Sequence, residues 1–187
     1  MALIGLNSFR YSVLTEASDG TPSYAGAQTP GKAVSCTFSP NNSEGKLYAD
    51  DTLAEYASLF AGGTVTMGID DEDLETMATL LGHTITSGGQ MTRKDNDVAP
   101  YVGLGRIVTK MVGGSYVYKV EFLYKVKFKE PEQSNNTKGE SVEFSTTSIE
   151  GNVAALANHK WSESQEFTSQ SEALSFLEGL LAGNESE

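Results

Sequence analysis

The most regular feature of the chain is an alternation of apolar and polar residues between Tyr116 and Glu130. Every even position from Tyr116 to Phe128 is aromatic or valine, and charged residues occupy most of the odd positions. Such alternation predicts a β-strand with one face buried and the other in water. At about 3.3 Å per residue the strand would span roughly 50 Å, whereas most strands have about 5 or 6 residues. A strand of this length is typical of a wall or a tube, and it favours an assembly protein over an enzyme.

Shorter patterns predict the other strands of a sheet-rich protein. These strands are expected at Phe9 to Leu14, Lys32 to Ser39, Thr64 to Ile69, His83 to Thr92 (interrupted), Tyr101 to Val112 and Glu140 to Asn152. Gly113 and Gly114 are expected to turn the chain between Val112 and the long strand. The two longest predicted strands then form one extended hairpin, which we take as the spine of the fold.

Two helices are predicted from their capping residues and their apolar spacing. The first begins with Asp70 or Asp71 as its cap and ends at Gly82, a residue suited to the left-handed C-terminal position. The second covers residues 169–182, because Ser169 and Glu172 have the spacing of a capping box. The fold class expected is therefore mainly β with one flanking helix and a C-terminal helix.

The chain is expected to form a single domain over residues 1–187, with two segments outside its regular structure. Residues 1–8 precede the first predicted strand and are expected to be flexible. Residues 40–63 form a connection far longer than the loops of most compact domains, which is typical of a binding arm or a disordered flap. The N-terminal residues have no basic flank and no long apolar run, so neither a signal peptide nor a membrane span is predicted.

The charge of the chain is −12 and is unevenly distributed. The segment 101–130 contains six basic and two acidic residues, so it carries +4 and the remainder carries −16. An acidic chain of this kind excludes a basic nucleic-acid-binding domain. The basic segment is open to two interpretations, which are pairing with acids of another subunit or element and a solvated lysine face that discourages wrong edge pairing.

Candidate catalytic and metal-binding residues are few. The acidic run Asp70 to Asp73 lacks the ligand spacing of a calcium loop and is better explained as a helix N-terminus. His83 and His159 are far apart, without metal-ligand spacing, and are expected at the surface or at strand ends. Cys36 is the only cysteine and is expected to be a small buried apolar residue. We therefore expect no enzyme activity, no cofactor and no metal site.

Two further features have a structural interpretation beside a functional one. The Gly103-Leu104-Gly105 run lacks the context of a dinucleotide site and predicts a bulge or a close backbone approach. Trp161 is either an interface anchor or a core residue that closes the sheet under the last helix.

The order of these segments resembles the major tail proteins, or tail tube proteins, of long-tailed non-contractile phages that infect Gram-positive bacteria. The residues that carry the resemblance are KLYADDTLAE (46–55), GTVTMGIDDEDLETMATLLGH (63–83), DVAPYVGLGRIVTKMVGGSYVYKVEFLYKVKF (97–128) and TKGESVEFSTTSIEG (137–151). The resemblance extends over most of the chain, from Leu6 to the last helix, and includes no catalytic signature.

The resemblance implies a virion protein with a β-sandwich or small barrel flanked by a helix. Six subunits would form a ring, rings would stack into a hollow tube, and the tube would conduct DNA without binding it specifically. The implied partners are other copies of the chain, a tape-measure protein, and tail-tip and terminator proteins. Assembly would take place in the host cytoplasm.

The candidate interface residues lie in the long connection and on the long strand. They are Lys46, Leu47, Tyr48, Asp50, Asp51, Leu53 and Tyr56, which the resemblance places in an arm that reaches a neighbouring ring, together with Lys119, Lys125, Lys127 and Lys129. If the lumen is acidic, we expect the lysine face to meet acids of a neighbouring subunit or to face outward. The competing interpretations are a capsid-decorating or distal-tail module that forms discrete oligomers, and a hydrolase with a buried carboxylate pair.

Overall fold

The computed structural model describes residues 2–50, 52–133 and 146–182, which form ten strands and two helices. In chain order the elements are β1 (Ala2–Glu16), β2 (Pro22–Tyr24), β3 (Ala33–Ala49), β4 (Thr52–Ile69), α1 (Leu74–Leu81), β5 (Thr84–Ile85), β6 (Met91–Thr92), β7 (Val102–Val112), β8 (Ser115–Phe128), β9 (Thr147–Ala154), β10 (Ser162–Phe167) and α2 (Gln170–Leu181).

Eight of these strands belong to one antiparallel sheet in the order β2-β1-β7-β8-β9-β4-β3, with β10 paired to β8. The remaining two, β5 and β6, form a small separate hairpin. The strands β1 and β3, which lie near opposite ends of this order, approach each other, so the sheet curves round rather than lying flat. The protein is therefore mainly β and sandwich-like with a C-terminal helix, which confirms the predicted fold class.

Two apolar cores lie on opposite faces of this sheet. The larger core packs against α1 and includes Phe9, Met67 and Met77, all fully buried. The smaller core packs against α2, where Phe122 and Leu177 are fully buried. Each helix thus covers one face of the sheet, which is the usual way in which a sheet hides both of its apolar sides.

The long strand β8 confirms the strongest sequence prediction, with one correction. Leu104 pairs with Leu123 but Val102 pairs with Val126, so β8 contains one extra residue between these points. A bulge of this kind moves the following side chains to the other face of the sheet. Val120, Phe122 and Tyr124 therefore belong to the core under α2, whereas Val126 and Phe128 belong to the core under α1. The prediction of a single buried face along the whole strand is wrong.

Several element boundaries also differ from the predictions. Residues 2–8, expected to be flexible, continue β1 and pair with β7 from Ala2 onward. Residues 40–63, expected to be a loop, are the outer halves of β3 and β4. The strands β2 and β10 were not predicted, and the predicted strand at 140–145 lies outside the described residues.

The helix caps agree with the predictions only in part. The N-terminal cap of α1 is Asp73 rather than Asp70 or Asp71, and its carboxylate accepts the Thr76 backbone N–H at 3.0 Å. Gly82 ends α1 in the left-handed conformation with φ 77°, as predicted. Ser169 makes no capping hydrogen bond to α2, so the predicted capping box does not form, although α2 itself is confirmed.

Candidate subunit interface

The outer halves of β3 and β4 form a projecting hairpin, which we call the arm (residues 40–63). Between Thr52 and Gly62, β4 pairs with β3 alone among the described strands, because β9 pairs with β4 only from Gly63 to Ile69. Ten residues on β3 give the arm a length of roughly 30 Å. Its described side chains from Asn41 to Leu59 are all exposed. A two-stranded hairpin without a third strand is only marginally stable in water, so the arm is suited to contact another surface.

The arm carries large apolar side chains on both of its faces. Leu47, Tyr48, Tyr56 and Leu59 are 58%, 65%, 52% and 71% exposed. The strand register puts Tyr56 opposite Lys46 on one face, and Leu47 and Leu59 on the other. The Nζ atom of Lys46 lies 5.9 Å from the centre of the Tyr56 ring. Exposed apolar groups this dense are typical of an interaction surface.

The arm is also acidic, and its tip is a tight turn. Four acids (Glu44, Asp50, Asp51, Glu55) outnumber Lys46, which leaves a charge of −3. The turn follows the Ala49–Thr52 pair, and Asp50 has a φ of 51°, in the left-handed region. Asp51 and the side chain of Leu53, two of the predicted interface residues, lie outside the described residues.

Trp161 fills the point where the arm separates from the rest of the sheet. Its ring stacks on Phe60 with centroids 4.2 Å apart and planes 11° apart, and on Phe38 at 5.7 Å and 27°. Trp161 directly precedes β10, and its carbonyl accepts the Tyr124 backbone N–H at 3.1 Å. Of the two interpretations of Trp161, packing under the last helix is wrong, because the residue packs against the larger core and not against the core under α2. Its role as an interface anchor stays a prediction.

A groove of about 610 Å³ lies beside this point, between the start of β1 and the start of β3. Leu3, Gly5 and Leu6 form one wall, and residues 34–36 form the other. The lining between the walls includes the charged side chains of Arg106, Lys110, Lys119 and Glu121. A smaller cleft of about 280 Å³ shares Arg106, Lys119 and Glu121 with the groove and extends to Trp161 and Phe38.

The charged side chains in and beside the groove form one cluster of three and one separate ion pair. Arg106 Nε donates to Glu121 Oε2 at 2.8 Å, Lys119 Nζ donates to Glu121 Oε1 at 2.7 Å, and Lys110 pairs with Glu166. Burial alone would raise the pKa of Glu121, but the hydrogen bond from Lys119 and the charge of Arg106 hold it below its usual value. Three cations thus face two carboxylates, and the groove retains one positive charge in excess.

Cys36 lies on the wall of this groove and is half-buried. Its sulfur accepts a hydrogen bond from Arg106 Nη1 at 2.6 Å. Burial raises the pKa of the Cys36 thiol, and the neighbouring guanidinium offsets only part of that effect. The thiol is therefore held in its protonated form, as expected for a packing cysteine rather than a nucleophile.

The four predicted lysines do not form one continuous face. Because of the bulge in β8, Lys119 lies on the groove side of the sheet, whereas Lys125 pairs with Glu16 on the other side. Lys127 lies 5.1 Å from the centre of the Tyr101 ring. Lys129 pairs with Glu150 at 2.6 Å. Pairing between elements of one subunit, one of the interpretations left open by the sequence, thus accounts for Lys125 and Lys129, whereas Lys119 pairs with Glu121 of its own strand.

The acidic and histidine residues of the sequence analysis have structural roles. Within residues 2–50, 52–133 and 146–182, no three His, Cys, Asp or Glu side chains are grouped to hold a metal ion. His83 directly precedes β5, so the strand-end placement is confirmed and the surface placement is not. Its side chain is 5% exposed and is bonded to Asp97 at 2.8 Å and to Glu130. Burial lowers the pKa of His83, but the hydrogen bonds with both carboxylates outweigh burial and raise it.

No protein-family model and no curated protein matches the chain. None of the described helices is long and apolar enough to cross a membrane. Sequence reasoning found the arm as a segment but missed the groove, because its walls come from residues far apart in the chain.

Proposed function

We propose that this protein is the structural subunit of a phage tail tube, in which rings of six copies stack into a hollow tube that conducts DNA. The observation that carries the proposal is the arm, a roughly 30 Å hairpin with four large exposed apolar residues. Such a hairpin gains its stability from a neighbour rather than from its own domain. The resemblance of the chain to tail tube proteins supplies the kind of neighbour, which is another copy.

The electrostatics of the subunit are compatible with a channel for DNA. A chain of charge −12 repels a phosphate backbone, so DNA would slide without being held. Lys119, Lys125 and Lys129 are already paired with carboxylates of their own subunit. They therefore add little positive potential to a lumen, whichever direction they face. In this proposal the protein is a virion component without catalytic activity, and its other partners are tape-measure, tail-tip and terminator proteins.

Negative-stain electron microscopy of the purified protein at low and high concentration tests the proposal. We expect six-fold rings or hollow tubes at high concentration. Leu59→Ser on the arm is expected to abolish them, whereas Val98→Ser is the matched control, because both side chains are 71% exposed and Val98 lies outside the arm. Discrete closed particles at every concentration would refute the tube and favour a capsid-decorating or distal-tail module. Normal tubes from Leu59→Ser would refute the role of the arm.

A further inference from the structure

The groove between β1 and β3 is an open recess with apolar walls. Leu3 and Val34 at its rim are 71% and 48% exposed, although both belong to strands of the main sheet. We propose that this groove receives the arm of a second copy of the chain, an inference that rests on the assembly proposed above and names its receptor surface. The arm of one subunit would lie along the groove of the next.

The arm of a subunit is not placed to fill the groove of the same subunit. The groove wall at Val34 to Cys36 and the arm from Pro40 onward are parts of one continuous strand, β3. Because an extended strand runs in one direction, the arm leads away from the wall instead of folding back over it. Its apolar side chains are accordingly left exposed. The occupant must therefore come from another molecule.

The chemistry of the two surfaces is complementary in two respects. Both present large apolar side chains to water, and burying these against each other is favourable. The arm carries −3, whereas Arg106, Lys110 and Lys119 leave the groove with one positive charge in excess. Opposite charges on the two surfaces favour the pairing of an arm with a groove over the pairing of two arms or of two grooves.

The backbone of the groove can also accept an extended segment. Among the described strands, β1 pairs over Leu3 to Asn7 with β7 alone, because β2 joins β1 only at Leu14 to Glu16. The second edge of β1 therefore presents backbone N–H and C=O groups on the groove side. A hairpin strand that lies along this edge can hydrogen-bond to it, as in strand addition by a bound peptide.

A cysteine at Val34 can report this contact, because Val34 lines the groove and is 48% exposed, whereas the Cys36 thiol is half-buried and held in its protonated form. The donor protein carries Leu59→Cys or Tyr48→Cys together with Cys36→Ser, and the acceptor carries Val34→Cys together with Cys36→Ser. The two are mixed and treated with a short bismaleimide, and the mixed dimer is identified by mass spectrometry. The control donor carries Ser18→Cys with Cys36→Ser, because Ser18 is exposed and lies outside the arm. We expect at least about tenfold more mixed dimer from one of the arm donors than from the control.

A charge exchange tests whether the crosslinked contact depends on the opposite charges of the arm and the groove. Lys110→Glu in the acceptor is expected to reduce crosslinking by about tenfold, and Glu55→Lys in the donor is expected to restore it. Circular dichroism of each variant establishes that it folds. Lysines are present elsewhere on the sheet, so Lys127→Glu, which lies outside the groove, serves as the control and is expected to leave crosslinking unchanged.

The outcomes separate this inference from the proposed function. Tubes that form without crosslinks from either arm donor would overturn the groove as the receptor and leave the tail tube standing. Crosslinked dimers that never form rings or tubes would uphold the groove and refute the tube. Equal crosslinking from the arm donors and from the Ser18→Cys control would overturn the groove, because the contact would then lack specificity.

Discussion

Gly103 lies on β7 where two aromatic rings close over the strand. A methyl group on Gly103 would lie 2.6 Å from Tyr24 Cε1 and 2.9 Å from Phe122 Cζ. The two rings meet edge to face with centroids 5.7 Å apart, and the Tyr24 hydroxyl donates to the Tyr124 carbonyl at 2.8 Å. The Tyr24 ring is thus held by its neighbour and by its hydroxyl, so it cannot move away freely. The predicted close backbone approach at the Gly103-Leu104-Gly105 run is confirmed.

We expect Gly103→Ala to lower the free energy of unfolding by about 2 kcal/mol. Overpacking of a core by one methyl group costs about 1–3 kcal/mol, and displacing the edge-to-face pair adds up to about 1 kcal/mol. The reduced entropy of the unfolded chain offsets about 0.4–1 kcal/mol of this loss. For a chain of 187 residues the net change corresponds to a fall in Tm of about 4–8 °C.

Urea unfolding followed by circular dichroism and by the fluorescence of Trp161 measures the effect. The matched control is Gly5→Ala on β1, because no described atom lies within 4 Å of the position of its added methyl group. We expect that variant to stay within about 1 kcal/mol of the natural protein. Natural stability in Gly103→Ala would refute the steric argument. An equal fall in the free energy of unfolding of both variants would show that the effect comes from replacing any glycine in a strand, and not from the contacts at Gly103.

Three further predictions concern buried polar groups. Ser12 is 1% exposed, and its hydroxyl has no hydrogen-bond partner among the described residues. Ser12→Ala is therefore expected to keep or increase the urea midpoint. A fall in the free energy of unfolding of more than about 1 kcal/mol would contradict this expectation. Lys125→Glu puts a second carboxylate beside Glu16 and is expected to lower the free energy of unfolding by about 1–3 kcal/mol. The control Lys127→Glu is expected to lower it by less than about 1 kcal/mol. Equal losses of the two variants in urea unfolding would contradict the pairing of Lys125 with Glu16. The pKa of His83 is raised in the folded state. The protonated side chain therefore stabilises the fold fully below the pKa of the unfolded state, which is about 6.5, and this stabilisation is lost as the pH rises through the pKa of the folded state. The difference in urea midpoint between the natural protein and His83→Gln should therefore shrink with rising pH, and a difference that grows would refute the ion-paired imidazolium.

The long strand shows how far a local pattern can predict a sheet. Alternation from Tyr116 to Phe128 predicted the position and length of β8, because each side chain in a strand points opposite to its neighbours. The bulge near Tyr124 was not predictable from the pattern of β8 itself, since it depends on how β7 and β8 align with each other. Within β8 neither glycine nor proline marks the bulge, but Gly103 on β7 lies at the register shift opposite it, where a bulge was one of the two interpretations of the glycine run. Val126 and Phe128, which follow the bulge, therefore belong to the core under α1, and not to the core under α2 that the alternation indicated for the whole strand.

The arm shows the opposite limit, in which weak local signals conceal a regular structure. Pro40, the following NNSEG segment and several alanines have low β propensity, so the sequence predicted a connection rather than two strands. The register of the arm is fixed at its base, where Phe38 and Phe60 stack on Trp161. That contact joins residues about 100 positions apart in the chain, and no local pattern records it. The groove escaped prediction for the same reason, since Cys36 and Arg106 meet only in the folded protein.

The basic segment 101–130 was open to two interpretations, and ionic strength can distinguish their consequences for assembly. Most of its lysines are paired within the subunit, so electrostatic attraction between arm and groove depends on a small excess of charge. Salt at about 1 M reduces the Debye length to about 3 Å and would remove that attraction. Excluded salts such as sulfate strengthen the burial of apolar surface instead. If apolar contact dominates, crosslinking between arm and groove should increase in sulfate and change little in chloride. A steep loss in both salts would show that the charges provide most of the attraction and that the exposed apolar residues of the arm contribute little to it.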